Sequence, residues 1–421
     1  MSQCFKKLGL VDDLTDLLSE LGYRSPTEIQ NQAIPYVLNG NDVLAGAQTG
    51  TGKTAAYGLP MIQMLHSQPK ASEISSAARG LVLVPTRELA KQVFDNLIQY
   101  AQFSSLKIVA VYGGTSISQQ TRLLKQGVDI VVATPGRLLD HVFCKHVRLD
   151  YLETLVLDEA DRMLDMGFKP DIQRILKRTP DKRQTLLFSA TFSSAVKTLA
   201  HSITVEPKEI QVTPENTVVQ TIEEVVYPVD RHRKRELISY LIGSGNWQQV
   251  LIFVKTKQGA DLLAKELKLD GIKSSSIHGD KSQGARQKAL DDFKDRSVRA
   301  LVATDVAARG IDINQLEYVV NFDMPYQAED YIHRIGRSGR AGHAGHAVSL
   351  MSKHEEYILA QVEKLLNRRL PQVWLPGYEP GEERVDEEAP SSRRKSRSTE
   401  KKMMKKQFNI HAGRGKKKPT R

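Results

Sequence analysis

Short apolar runs alternate with longer helix-like segments along most of the chain. Parallel βαβ units produce that rhythm, because their strands are covered on both faces. In the first half the pattern predicts strands at 42–45, 81–84, 108–112, 130–133, 154–157 and 185–188. A second series is predicted at 250–254, 272–277, 300–303, 318–321 and 347–351. Between the two, residues 205–219 hold Pro207, Pro214 and several polar residues with no clear period, which reads as a domain end and a linker. After Leu370 the pattern stops at Pro371, Pro376, Gly377, Pro380 and Gly381, and the acidic run 382–388 follows. The expected organisation is a first α/β domain over 1–208, a linker over 209–220, a second over 221–370 and a low-complexity tail over 371–421.

Length and composition support two domains with their own cores: 421 residues, of which 40% are apolar. No run is long and apolar enough to predict a transmembrane helix, and residues 1–9 are too polar for a signal peptide. The two cysteines, Cys4 and Cys144, form no disulfide framework or metal-ligand spacing, so a reducing, cytoplasmic setting is expected. Net charge changes the picture more. The formal value is +11, yet residues 391–421 carry thirteen Lys or Arg against Glu400 alone, a balance of +12. The other 390 residues therefore sum to 11 − 12 = −1. Few large apolar residues and excess charge predict a disordered basic tail. A near-neutral body must hold nucleic acid through a few well-placed groups.

Chemistry concentrates first in Ala47-Gln48-Thr49-Gly50-Thr51-Gly52-Lys53-Thr54, after a predicted strand and before a helical segment. A phosphate-binding P-loop needs that context: Gly50 and Gly52 let backbone N–H groups wrap phosphates, and the helix N-terminus adds favourable partial charge. Lys53 would reach the β- and γ-phosphates, and the Thr54 hydroxyl would help hold Mg²⁺. Asp158-Glu159-Ala160-Asp161 follows the apolar run 154–157. A carboxylate at a strand end beside a P-loop suits the second magnesium contact, Asp158, with Glu159 polarising the attacking water.

At these carboxylates the chain resembles the DEAD-box family of RNA helicases, over roughly residues 5–368. The resemblance includes Gly22-Tyr23-Arg24-Ser25-Pro26-Thr27-Glu28-Ile29-Gln30, with Phe5 seventeen residues upstream of Gly22. In that family the glutamine hydrogen-bonds adenine and the aromatic stacks on it, so the nucleotide implied is ATP, with Phe5, Tyr23 and Gln30 at the base. Pro85-Thr86-Arg87-Glu88-Leu89, Gly113-Gly114, Thr134-Pro135-Gly136-Arg137 and Ser189-Ala190-Thr191 all fall at predicted strand ends, where open parallel sheets bind ligands. The resemblance implies that Thr86, Arg87, Gly114, Thr134 and Arg137 grip the RNA backbone. Ser189 and Thr191 would link nucleotide state to that grip.

The second half contributes Gln283 and Arg286, Ala303-Thr304-Asp305, Arg309-Gly310-Ile311-Asp312 and His333-Arg334-Ile335-Gly336-Arg337-Ser338-Gly339-Arg340. By resemblance Gln283, Arg286, Thr304, Arg309 and Gly310 meet RNA, Asp312 meets the ATP ribose, and His333 couples the two sites. Arg337 and Arg340 resemble arginine fingers that complete the first domain's ATP site. Ser338 stands where the family usually has Thr and keeps the hydroxyl. Met163-Leu164-Asp165-Met166-Gly167-Phe168, Gly245-Asn246-Trp247-Gln248-Gln249 and Pro376-Gly377-Tyr378-Glu379-Pro380 are most similar to the bacterial RhlE type.

The fold implied is two tandem RecA-like parallel-sheet domains sharing ATP, Mg²⁺ and RNA in their cleft. Contacts to phosphates and 2′-hydroxyls make RNA recognition largely sequence-independent. Ribosome-assembly or RNA-decay proteins are the partners the analogy names. No membrane association and no structural metal are expected: His141 and His146, or His343 and His346, lack neighbouring cysteines or acids at ligand spacing. An ATP-gated RNA clamp without productive unwinding would use the same motifs, and a DNA-directed motor is a third reading. A nucleotide kinase is disfavoured, having no use for the second arginine set.

Overall fold

The computed structural model describes residues 3–47, 50–68, 76–212, 222–308, 316–338 and 345–381. Thirteen strands occur among them: β1 Val43–Gly46, β2 Gly80–Leu83, β3 Ile108–Val111, β4 Ile130–Ala133, β5 Thr154–Asp158, β6 Gln184–Ser189, β7 Lys208–Gln211, β8 Ile222–Pro228, β9 Val250–Val254, β10 Ser274–Ile277, β11 Ala300–Thr304, β12 Tyr318–Asn321 and β13 Gly345–Met351. They form two sheets, in the orders β3-β4-β2-β5-β6-β1-β7 and β10-β11-β9-β12-β13-β8. Every pairing is parallel.

The central strands are apolar throughout because both faces are covered by helices. Alternate residues serve different cores: Val82, Val132, Val156 and Leu186 pack on one face, and Leu81, Val131, Leu155 and Leu187 on the other. In the second lobe Ile252, Val302 and Val320 face one core and Leu251, Leu301 and Val319 its opposite. All these strands run the same way, so their carboxyl ends open on one edge of each sheet. The loops there carry the chemistry.

Within 205–219, read as a domain end and linker with no clear period, Lys208–Gln211 forms β7 and pairs with β1 at the sheet edge. Only Ile210 of its four residues is buried, so it lacks the apolar run that marks the inner strands. Strand β8 was likewise absent from the apolar series. It lies at the other sheet's edge against β13, and residue 372 extends that edge by bridging to Val226.

Candidate nucleotide and RNA site

The P-loop joins β1 to the helix Lys53–Ser67. Gly52, at its end, has φ 93°, in the left-handed region that favours glycine. A Cβ there would also overlap the Gln30 amide, so this position excludes any other residue twice over. Gly50, Thr51 and Thr54 share the turn, whereas Gln48 and Thr49 lie outside the described residues. Lys53 is 5% exposed, and its Nζ has no hydrogen-bond partner among the described residues. The nearest carboxylate oxygen, Asp158 Oδ1, is 4.0 Å away. A buried ammonium without hydrogen bonds is costly unless an anion joins it.

Asp158 ends β5, beneath the P-loop, where every residue of the strand is buried. Tyr57 Oη donates to its Oδ2 at 3.0 Å and the Glu159 backbone N–H to its Oδ1 at 2.9 Å. Burial lifts the Asp158 carboxyl above the ordinary range, against the pull of the Lys53 ammonium. Glu159 adopts φ 54°, a conformation costing a non-glycine residue about 1 kcal/mol or more. Its Oε2 is buried without a hydrogen bond among the described residues, with Arg162 Nη1 3.6 Å away. The strained turn thus presents a carboxylate oxygen close to the P-loop lysine's own carboxylate neighbour.

Asp161 ties this turn to the end of β6. Its Oδ2 accepts from the backbone N–H groups of Thr191 at 2.9 Å and Ala190 at 3.2 Å, and from Thr191 Oγ1 at 3.0 Å. Ser189 Oγ accepts from Asp161 N at 3.3 Å and donates to Thr191 O at 2.8 Å. A shift of either segment breaks several hydrogen bonds of the other.

Gln30 sits on the other side of the P-loop. Its Oε1 accepts from Thr27 N at 3.0 Å and its Nε2 donates to Gly52 O at 3.1 Å, which leaves one amide hydrogen for a ligand. Tyr23 is half-buried, its hydroxyl 2.7 Å from that of Tyr100. Phe5 is 1% exposed and belongs to the core, so in this conformation it offers no open ring face to a base.

The remaining first-lobe motifs stand at the ends of β2, β3 and β4. Thr86 caps the helix Arg87–Tyr100 by accepting from Leu89 N at 3.3 Å. The Arg87 guanidinium lies on Gly113 and Gly114, and a Cβ on Gly114, whose φ is 80°, would overlap it. Thr134 precedes the helix Pro135–Phe143. From that helix Arg137 Nη1 donates to Thr115 O at 3.2 Å and to Gln120 Oε1 at 3.1 Å.

The second lobe meets the first here. Arg286 Nη2 is 2.8 Å from Glu88 Oε1, and Gln283 Nε2 donates to the same oxygen at 3.4 Å. Thr304, at the end of β11, is 7% exposed. Next to it Asp305 takes a two-pronged contact from Arg334, at 2.6 and 2.8 Å. Arg334 is itself buried and also donates to Asn321 Oδ1 at 3.0 Å. That clamp fixes the helix end carrying His333 and Arg337, which line a small cleft with Arg162 and Asp305. Ser338 Oγ donates to Leu316 O at 3.1 Å. Arg309, Gly310, Asp312 and Arg340 lie outside the described residues.

Residues 27–199 match the DEAD/DEAH box helicase family, and residues 233–342 match the helicase conserved C-terminal domain. The DEAD-box ATP-dependent RNA helicase CshA of Bacillus subtilis is 39% identical over 89% of this chain and 75% of its own length. The chain belongs to the DEAD-box family of ATP-dependent RNA helicases. The ATP-dependent RNA helicase DeaD of Escherichia coli is 42% identical over 89% of this chain, which spans 59% of that relative. Among solved structures, S. cerevisiae Dbp5 bound to RNA and ADP BeF3 superposes with a TM-score of 0.78 at 30% identity, covering 88% of this chain and 95% of that one. Mss116p bound to ssRNA and AMP-PNP gives 0.77 at 27%, covering 90% and 78%. The two sheets are therefore RecA-like domains of an RNA-stimulated, nucleotide-using helicase.

Three residues of this helicase site take no role from the sequence alone: Glu88, inside the Pro85–Leu89 motif, and Gln120 and Arg162, outside every motif. Each is an ordinary polar residue of a helix, and what distinguishes it is a partner brought close by the fold. The loops between strands and helices supply the motifs, but the helices behind them supply these three. Among the described residues no helix is long and apolar enough to cross a membrane.

Proposed function

We propose that this helicase hydrolyses ATP at the P-loop mouth and uses closure of its two lobes to bend and separate short stretches of RNA duplex. The observation that carries the assignment is the buried Lys53 ammonium, without a hydrogen bond among the described residues, beside the two buried carboxylates of Asp158 and Glu159. Lys53 binds the terminal phosphates. Glu159, held by its left-handed turn with Arg162 beside its Oε2, orients the attacking water and takes its proton. Arg337 adds positive charge from the second lobe as charge builds on the transferring phosphoryl group, with Arg340 in the same role. Gln30 and Tyr23 select the adenine, and Asp312 the ribose.

Thr54 and Asp158 are the residues that would hold Mg²⁺. Among the described residues no three His, Cys, Asp or Glu side chains converge on a metal cage, and Mg²⁺ is commonly bound through one or two carboxylates together with substrate phosphates. When bound, the ion supplies neutralising charge to phosphate oxygens. RNA lies along Thr86, Arg87, Gly114, Thr134 and Arg137 of the first lobe and Gln283, Thr304, Arg309 and Gly310 of the second. These groups suit phosphates and 2′-hydroxyls, so recognition is largely independent of sequence. Arg286 acts through Glu88, joining the lobes. Ser189, Thr191 and His333 transmit closure between the nucleotide and the RNA. A cytoplasmic setting with ribosome-assembly or RNA-decay proteins as partners fits an RhlE-type helicase of this architecture.

The test is ATPase activity with and without single-stranded RNA, run beside unwinding of a short RNA duplex. RNA should raise turnover and ATP should separate the strands. ATP-dependent retention of RNA without strand separation would favour the clamp reading, and equal stimulation by DNA would favour a DNA motor.

A further inference from the structure

Behind Arg137 lies a buried chain of hydrogen bonds that none of the family motifs includes. Gln120, on the helix Ile117–Lys125, is 5% exposed. Its Nε2 donates to Tyr112 O at 2.9 Å and to Thr115 Oγ1 at 2.6 Å, which fixes the turn containing Gly113 and Gly114. Its Oε1 accepts from Arg137 Nη1 at 3.1 Å and lies 3.0 Å from His141 Nε2. An amide oxygen can only accept, so His141 Nε2 carries the hydrogen. In a neutral ring Nδ1 is then an acceptor, and His146 Nδ1, 3.2 Å away, must donate to it. Thr121 Oγ1 closes the chain 3.2 Å from His146 Nδ1. Burial, with His146 and Arg137 nearby, lowers the His141 pKa to about 4, so its ring is neutral at neutral pH.

We infer that Gln120 and His141 are positioning residues for RNA, holding the Arg137 guanidinium and the turn 112–115 in one fixed arrangement at the mouth of the RNA path. The inference rests on the reading that Arg137 and Gly114 contact RNA. Gln120 is the common anchor: one amide holds both RNA-facing elements, from β3 and from the helix after β4, so they cannot move independently. His141 gives that amide oxygen a second donor beside Arg137. Without it the amide is held less firmly, and with it the Arg137 guanidinium and the turn 112–115.

The test uses the full chain and a labelled single-stranded oligouridylate, with the RNA concentration for half-maximal ATPase read separately from turnover at saturating RNA. A glutamine amide nitrogen reaches roughly where a histidine Nε2 stands, and an asparagine amide reaches the Nδ1 position. His141→Asn should therefore raise the half-saturating RNA concentration about fivefold, the scale of one lost hydrogen bond. Turnover at saturation should stay within about twofold, as expected when binding alone is impaired. His141→Gln should restore near-native RNA affinity. Equal loss of affinity in both variants, in step with their melting temperatures, overturns the positioning role, as does native affinity in His141→Asn. If His141→Asn fails to fold, Gln120→Glu serves instead: it keeps the acceptor but loses the donor to Tyr112 O, and native RNA affinity there also overturns the inference. Arg137→Ala separates the underlying reading, since unchanged RNA affinity in that variant removes Arg137 from the RNA path altogether.

Discussion

Glu88 and Arg286 pair across the cleft at 2.8 Å, one from the helix after β2 and the other from the helix after β10. Both side chains are buried, and burial lowers the Arg286 pKa below its usual value, partly offset by Glu88. Removing the carboxylate leaves a buried guanidinium that the protein can rehydrate only by opening the lobes. Glu88→Ala should therefore weaken closure, raising the RNA concentration for half-maximal ATPase by about tenfold, within the range of a hydrogen bond to a charged group. Combining Glu88→Ala with Arg286→Met should recover part of the loss, because the double variant has no stranded charge. Strictly additive losses would show that the two side chains do not act as a pair.

Lys53→Ala should abolish turnover. The P-loop loses its cation aimed at the terminal phosphates, and electrostatic stabilisation of that kind is worth several kcal/mol, roughly a hundredfold or more in rate. RNA-stimulated ATPase above about a tenth of the native value would be incompatible with the role given to Lys53.

Much of the fold was legible because the inner strands are apolar on both faces, as in β5, where all five residues are buried. Two of the four edge strands, β7 and β8, were not: β7 buries Ile210 alone, and β8 alternates buried with partly exposed residues. The P-loop and the Asp158 turn were legible because their spacing is local. Glu88 and Gln120 were not, since nothing in a helix's own sequence tells which distant loop it will touch. His141 is hydrogen-bonded, and its link through Gln120 to Arg137 depends on two separate helices meeting. Phe5 shows the opposite limit: the family resemblance implies a place at the base, while the structure packs its ring into the core.

Glu159→Gln should separate binding from hydrolysis. The amide keeps the size of the side chain but is a poor base, so ATP and RNA should still close the lobes while the reaction stalls. RNA retention should then outlast that of the native protein when ATP and Mg²⁺ are present. Release as fast as native would assign the activation of water to another group.

Acid should weaken the first lobe through His141. Its pKa is lowered from 6.5 to about 4 in the folded protein, by burial first and then by His146 and Arg137, with Asp140 opposing. Gln120 Oε1 and His146 Nδ1 are its hydrogen-bonding partners. Below about pH 6.5 the unfolded chain takes up a proton that the folded protein refuses, so stability present above that pH is lost progressively as pH falls toward 4. Melting temperatures at pH 7.5 and 5 should differ more for the native chain than for His141→Gln, which has no such proton to gain. The same difference in both would place the acid-sensitive group elsewhere.

The basic tail offers a prediction from charge alone, because residues 391–421 lie outside the described structure and carry thirteen Lys or Arg against one acid. Every matched motif ends by Arg340, so deleting 391–421 should leave RNA-stimulated turnover at saturating RNA close to native. RNA affinity should nevertheless fall, since the remaining residues sum to a charge of about −1 and contribute little general attraction. If about six of the basic residues neutralise phosphates, the slope of log affinity against log salt should shrink by roughly 0.7 × 6, or about 4 units. The loss should be largest at low salt and similar for unrelated RNA sequences, because released counterions carry no sequence information. Titrations of the full and shortened chains at several salt concentrations give both slopes. Identical slopes would mean that the tail's charge serves something other than RNA, such as an acidic protein surface, and the RNA grip would then rest on the cleft residues alone.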